Sequence, residues 1–145
     1  MGYSPDTSPH FGGFYDRGPG ISSVGSYQIA GTPFMTGSTI ASGDNEVRID
    51  FPNVTRSITI INTDALGTDI RVHFASKDTG STITGKHFIT LNADQTSVTL
   101  NVKCKSIWLS NGGTPPGDAD FQLFAEMTGI NEGAMWTLTG AGIDA

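Results

Sequence analysis

The chain has 145 residues, with 8 Lys+Arg against 14 Asp+Glu and a formal net charge of −6. Only 15% of residues are charged while 19 are glycine, which argues against a charge-driven disordered chain and against a solvated helical bundle. The acidic balance disfavours a duplex nucleic-acid partner, no stretch approaches the roughly 20 apolar residues of a bilayer span, and the single cysteine, Cys104, excludes an internal disulfide and a multi-cysteine zinc site.

Residues 1–24, MGYSPDTSPHFGGFYDRGPGISSV, follow neither a helical nor a strand period. Pro5, Pro9 and Pro19 remove backbone donors, and Gly12, Gly13, Gly18 and Gly20 raise the entropy cost of ordering. There is no basic segment followed by an apolar run, so no secretory leader is expected. Tyr3, Phe11, Phe14 and Tyr15 crowd this short piece with aromatic surface, which suits an extended arm that lies on a partner. Fold-back onto its own domain is the competing reading.

From residue 25 to 145 a single domain is expected, because the period changes to two. Val47, Ile49 and Phe51 alternate with Arg48 and Asp50; Ile58 and Ile60 with Ser57 and Thr59; Ile70, Val72 and Phe74 with Arg71 and His73. Val98, Leu100 and Val102 alternate with Thr99, Asn101 and Lys103, and Phe121, Leu123, Ala125 and Met127 with Gln122, Phe124 and Glu126. Such alternation marks strands with one buried and one wet face. Strands are predicted at 26–30, 46–52, 56–62, 68–75, 81–84, 87–91, 96–103, 105–110, 119–127 and 134–139, with Gly-, Asn-, Asp- and Pro-rich turns between them. The expected fold is all-β, an antiparallel β-sandwich of jelly-roll or Ig-like Greek-key type with an extended N-terminal arm.

No catalytic, cofactor or metal site emerges from the motifs, and no enzyme is expected. His10, His73 and His87 form no ligand-spaced pair, and His73 is expected to be exposed on the polar face of its strand. Alternation puts Cys104 on the side of Val102, so a buried, inert thiol is expected despite Lys103 and Lys105. Asp64, Asp69 and Asp78 sit at turns, where the carboxylate normally serves its own backbone. Trp108 is out of phase with Ile107 and Leu109 and so faces the other way. Trp108 and Trp136 are candidates for the core, an interface or a glycan platform.

Several segments, GSYQIAGTPF (25–34), FPNVTRSITIINT (51–63), RVHFAS (71–76), GKHFITL (85–91), KCKSIWLSN (103–111) and FQLFAEMTGI (121–130), resemble small β-rich virion structural proteins of tailed phages, notably those of marine cyanobacteria. The resemblance leaves the arm unmatched and offers no catalytic residues to transfer. It implies a β-rich virion component; the aromatic arm, free strand edges and the net charge of −6 then point to a capsid decoration (cement) protein on the outer surface of a virion, made in the host cytoplasm. Its expected partner is the major capsid protein, and a homodimer or homotrimer is expected. Candidate contact residues are Tyr3, Phe11, Phe14, Tyr15 and Arg17 of the arm, with Tyr27 and Phe34 at its junction with the body. The alternatives are another virion element, such as a head–tail, collar or tail-fibre connector, and a carbohydrate-binding host-attachment module using Trp108, Trp136 and the 111–118 loop.

Overall fold

A computed structural model describes residues 32–79 and 81–138. Eight strands follow one another: β1 (Pro33–Ile40), β2 (Glu46–Asp50), β3 (Asn53–Asn62), β4 (Ile70–His73), β5 (Ile89–Leu91), β6 (Ser97–Leu100), β7 (Ser106–Asn111) and β8 (Ala119–Asn131). A short 3-10 turn, Glu132–Ala134, succeeds β8 and is capped by the Asn131 side chain, which accepts from the Gly133 N–H. The strands form two antiparallel four-stranded sheets, ordered β1-β8-β3-β6 and β2-β7-β4-β5. Both contribute to one hydrophobic core, an arrangement consistent with a β-sandwich.

Alternation accounts for that core. Ile58 and Ile60 of β3 with Phe121, Leu123, Ala125 and Met127 of β8 meet Ile70 and Val72 of β4 and Ile107 and Leu109 of β7, all buried. Each such Ile, Leu or Phe contributes about 1.5–3 kcal/mol on burial. Beyond Met127 the pattern shifts. The β3–β8 register slips between Asn53 and Ser57, and past this irregularity Thr128 and Ile130 become the buried residues. Ile130 joins Val54 and Met135 in a small second cluster, so the bulge re-aims the end of β8 away from the main core.

Two buried asparagines tie the sheets together at the opposite end. The Asn62 side-chain amide donates to the carbonyls of Thr68 (2.8 Å) and Leu91 (3.2 Å). That of Asn111 reaches the carbonyls of Ile40 (3.3 Å), Ala41 (3.3 Å) and Gly117 (2.8 Å). These bonds occupy backbone acceptors at and just beyond the strand ends, where the chain crosses between sheets.

The structure departs from the expected elements in several places. The β1 strand was not among the predicted runs, because PFMTGSTI has no sustained apolar alternation; it forms as an edge strand that pairs with β8 on one side through all eight residues. The strand expected at 81–84 is a series of turns instead. Local bonds from Thr82 N to Thr79 O (3.1 Å), Lys86 N to Ile83 O (3.0 Å) and His87 N to Thr82 O (2.9 Å) outcompete the β-propensity of Ser-Thr-Ile-Thr. Residues 134–138 form no strand. The expected strand at 26–30 and the boundary at 24/25 lie outside the described residues.

Candidate functional site

Among the candidate contact residues, Tyr3, Phe11, Phe14, Tyr15, Arg17 and Tyr27 lie outside the described residues. Phe34 is half-buried on β1, its ring packed edge-on against Phe51 with centroids 5.4 Å apart. It is a packing residue at the margin of the core and offers a partner only part of its ring.

Two surfaces stand out. The first is the outer face of the β1-β8-β3-β6 sheet. The pairing places Met35 opposite Phe124 and Phe124 opposite Thr59 in one row, with Gly37, Gln122 and Ile61 in the next. Met35 is 77% exposed and Ile61 is also exposed. Because Gly37 has no side chain, a shallow hollow of about 320 Å³ opens between Met35, Gln122, Phe124 and Ile61. Thr59 and Thr99 bridge hydroxyl to hydroxyl at 3.0 Å beside it. These two rows hold no charge; the row on one side contains Glu126, paired with Arg56 (3.6 Å), and the row on the other side contains Asp120, which accepts from Thr39 Oγ1.

The second surface is a cleft of about 590 Å³ over β2 and β7. Arg48 and Trp108 are direct cross-strand partners, and the Arg48 guanidinium lies 5.2 Å from the indole centroid, a cation–π arrangement. Asp50, on the same face, accepts from Arg48 Nε at 2.8 Å. Lys105 and Glu132 add one charge of each sign. One wall is the segment after β4, fixed by Glu46, whose carboxylate accepts from Ser76 Oγ (2.7 Å) and Lys77 N (2.8 Å). The other wall follows β8 and includes Met135, Thr137 and Leu138, with Lys105 Nζ donating to the Met135 carbonyl at 3.3 Å.

Trp108 therefore faces outward as its phase implies, half-buried between buried Ile107 and Leu109. Trp136 is 56% exposed but does not line the cleft, although its neighbours Met135 and Thr137 do. The 111–118 loop leaves β7 at the end away from Ser106 and lines no part of it. The three features grouped from sequence as a glycan platform thus separate. What spacing could not reveal is that Arg48, Asp50 and Glu132 gather around Trp108, since that depends on β2–β7 pairing and on where the chain goes after β8.

His73 corrects another expectation. It is buried, 1% exposed, because the segment after β4 folds over this side of the sheet. Its Nδ1 lies 2.6 Å from the Ala75 carbonyl and its Nε2 2.9 Å from Ser110 Oγ. A carbonyl only accepts, so Nδ1 carries the hydrogen and Nε2 accepts from the serine. Burial pushes the imidazole pKa below its ordinary value, opposed by the Ala75 bond. With Ser110 also fully buried, the pair is an internally satisfied polar contact of the packed interior. Cys104 is buried as expected, its thiol pushed up to about 11 by desolvation. Asp64 accepts from the backbone of Leu66 (3.1 Å) and Thr68 (2.9 Å), and the Thr68 N–H is the first cause holding its carboxyl below the ordinary range.

Comparison of the chain with protein-family models, with curated proteins and with solved structures finds no match.

Proposed function

We propose that this chain is a structural component of a tailed-phage virion, a decoration protein that bridges major capsid subunits on the outer surface of the shell. We also read its sandwich as a jelly roll. Strand order supports the second point. Consecutive strands β1, β2, β3 and β4 alternate between sheets, and the first and last of the described strands are neighbours, as in two interwound Greek keys. An immunoglobulin-type domain would keep its first two strands in one sheet.

Jelly rolls occur in viral capsid and lectin domains alike, so the role rests on surface rather than fold. The observation that carries it is the uncharged patch of the outer face formed by Met35, Phe124 and Ile61, set between the Arg56–Glu126 pair and Asp120, in a chain of net charge −6. Exposed apolar side chains gathered on one face in this way favour a contact site. It includes β1, and the aromatic arm precedes β1 in the chain, so body and arm would engage neighbouring subunits together. Such bridging stabilises an assembled shell by mass action alone. Association of the chain with itself as a dimer or trimer belongs to the same reading.

Co-sedimentation with purified expanded shells tests it, comparing the full chain, a version lacking residues 1–24, and Met35→Lys. Saturable binding at many copies per shell is expected, weakened by Met35→Lys and lost with the arm. Binding of a handful of copies at one vertex would instead identify a connector element, and no binding would remove the virion reading.

A further inference from the structure

We infer that the cleft over β2 and β7 is a binding site for a neutral carbohydrate, formed by Trp108, Arg48, Asp50, Lys105, Glu132 and Thr137. The inference does not depend on the decoration role, which concerns the opposite sheet.

Size comes first: about 590 Å³ falls within the roughly 300–1,000 Å³ of small-molecule sites and leaves room for a short oligosaccharide. Charge narrows the class. The lining carries two cations, Arg48 and Lys105, and two carboxylates, Asp50 and Glu132. The two signs balance, so the lining gives neither an anionic nor a cationic ligand a net attraction and leaves recognition to hydrogen bonding and apolar contact, which suits a neutral ligand. Hydrogen-bonding capacity narrows it again. Arg48 commits Nε to Asp50 Oδ1, and the two side chains remain 57% and 61% exposed. The guanidinium Nη groups can therefore still donate and the second carboxylate oxygen accept, side by side. Adjacent hydroxyls of a sugar ring, each able to donate and accept, match such a pair. Trp108, whose ring already carries the Arg48 guanidinium, adds the part of its indole that stays exposed in the cleft as apolar surface for the C–H groups of a sugar.

Arg48 pairs with Trp108 and Asp50 with Ser106 in the β2–β7 ladder, so the floor of the cleft between these strands reads a ligand through side chains. The site is also held in shape before any ligand arrives. Asp50 anchors Arg48 over the indole, Glu46 fixes one wall, and the Lys105–Met135 bond fixes the other. Preorganisation of this kind lowers the cost of binding.

A glycan array carrying neutral, sialylated and phosphorylated oligosaccharides, probed with the full chain, selects the ligand. Tryptophan fluorescence then measures it in the Trp136→Phe variant, where Trp108 is the remaining indole. Neutral glycans alone are expected to be retained, with a saturable change in Trp108 emission. Asp50→Ala should weaken affinity at least about tenfold, equivalent to about 1.4 kcal/mol, while leaving the melting temperature and shell co-sedimentation unchanged. Retention of no neutral glycan, preference for the sialylated or phosphorylated set, or undiminished binding by Asp50→Ala would each overturn the inference. Should Asp50→Ala lower the melting temperature, Thr137→Val and Glu132→Gln replace it, and a failure of both to weaken binding overturns the inference equally.

Discussion

Cys104 and His73 show how burial sets the chemistry of single residues. Lys103 and Lys105 flank the cysteine in sequence, yet its thiol is pushed up to about 11 because desolvation dominates, against weaker bonds from Thr55 and the Ser106 backbone. At about pH 8 only about one thiol in a thousand is then ionised, and the thiolate is the reacting species. A disulfide reagent should leave the native chain unmodified and label Cys104 at the rate of unfolding; fast stoichiometric labelling of native protein would contradict this placement. For His73 the sign follows from its lowered pKa. Below its ordinary value of 6.5 the unfolded chain takes up a proton that the folded chain refuses, so stability is full above 6.5 and declines as pH falls towards the folded-state pKa. Urea unfolding at several pH values between about 5 and 7 should show this slope, and His73→Gln should flatten it.

At the scale of elements, turns decide where strands end and which faces meet. Gly67 and Gly113 both have positive φ, +71° and +74°, in the turns before β4 and after β7. A side chain in that region costs about 1–2 kcal/mol. They differ in their surroundings: an added Cβ at Gly67 would stand 2.8 Å from Ala93 Cβ, whereas none lies within 4 Å at Gly113. Gly113→Ala should therefore lose only the conformational cost, while Gly67→Ala should lose roughly 1–3 kcal/mol more through overpacking. Equal urea midpoints for the two variants would contradict this account. Strand β1 carries the opposite lesson. Its sequence has weak alternation because its inward positions include the polar Thr36 and Ser38 and its outward ones the apolar Met35, and it is a strand because β8 offers a matching ladder. Its lack of signal and its position at a sheet edge have one cause: an edge strand needs less apolar surface than a central one.

Across the whole molecule, one core joins two sheets, and its centre bears the stability. Leu123 is buried on β8 between strands of its own sheet and opposite the other. Leu123→Ala should cost about 2–5 kcal/mol, read as a fall in the urea midpoint with an unchanged slope. Substitutions on the two outer faces, Met35→Lys and Asp50→Ala, should shift that midpoint by less than about 0.5 kcal/mol, as surface changes usually do. The two outer faces differ in kind, one with a shallow uncharged patch between charged rows, the other with a charge-balanced cleft. That division permits one face to dock while the other stays open to a ligand.

How much of this was legible in the sequence follows from the range of each interaction. Period-two alternation is local, so Ile58–Ile60, Ile70–Val72 and Phe121–Met127 declared their strands and their inward faces, and with them the all-β class. Trp108 declared its outward side by the same means. The sequence by itself could not show that Ser81–Thr84 would close into turns, because β-propensity and turn bonds compete at similar energies there. Nor could it show that His73 would be covered, since the cover comes from a segment that returns over its own sheet. The cleft was least legible of all: Arg48, Trp108 and Glu132 are scattered through the chain, and only the β2–β7 pairing and the path of the chain after β8 bring them together. Local chemistry determined the strands, and tertiary structure decided the surfaces, because a surface is made of residues whose separation in sequence carries no physical constraint until the chain folds.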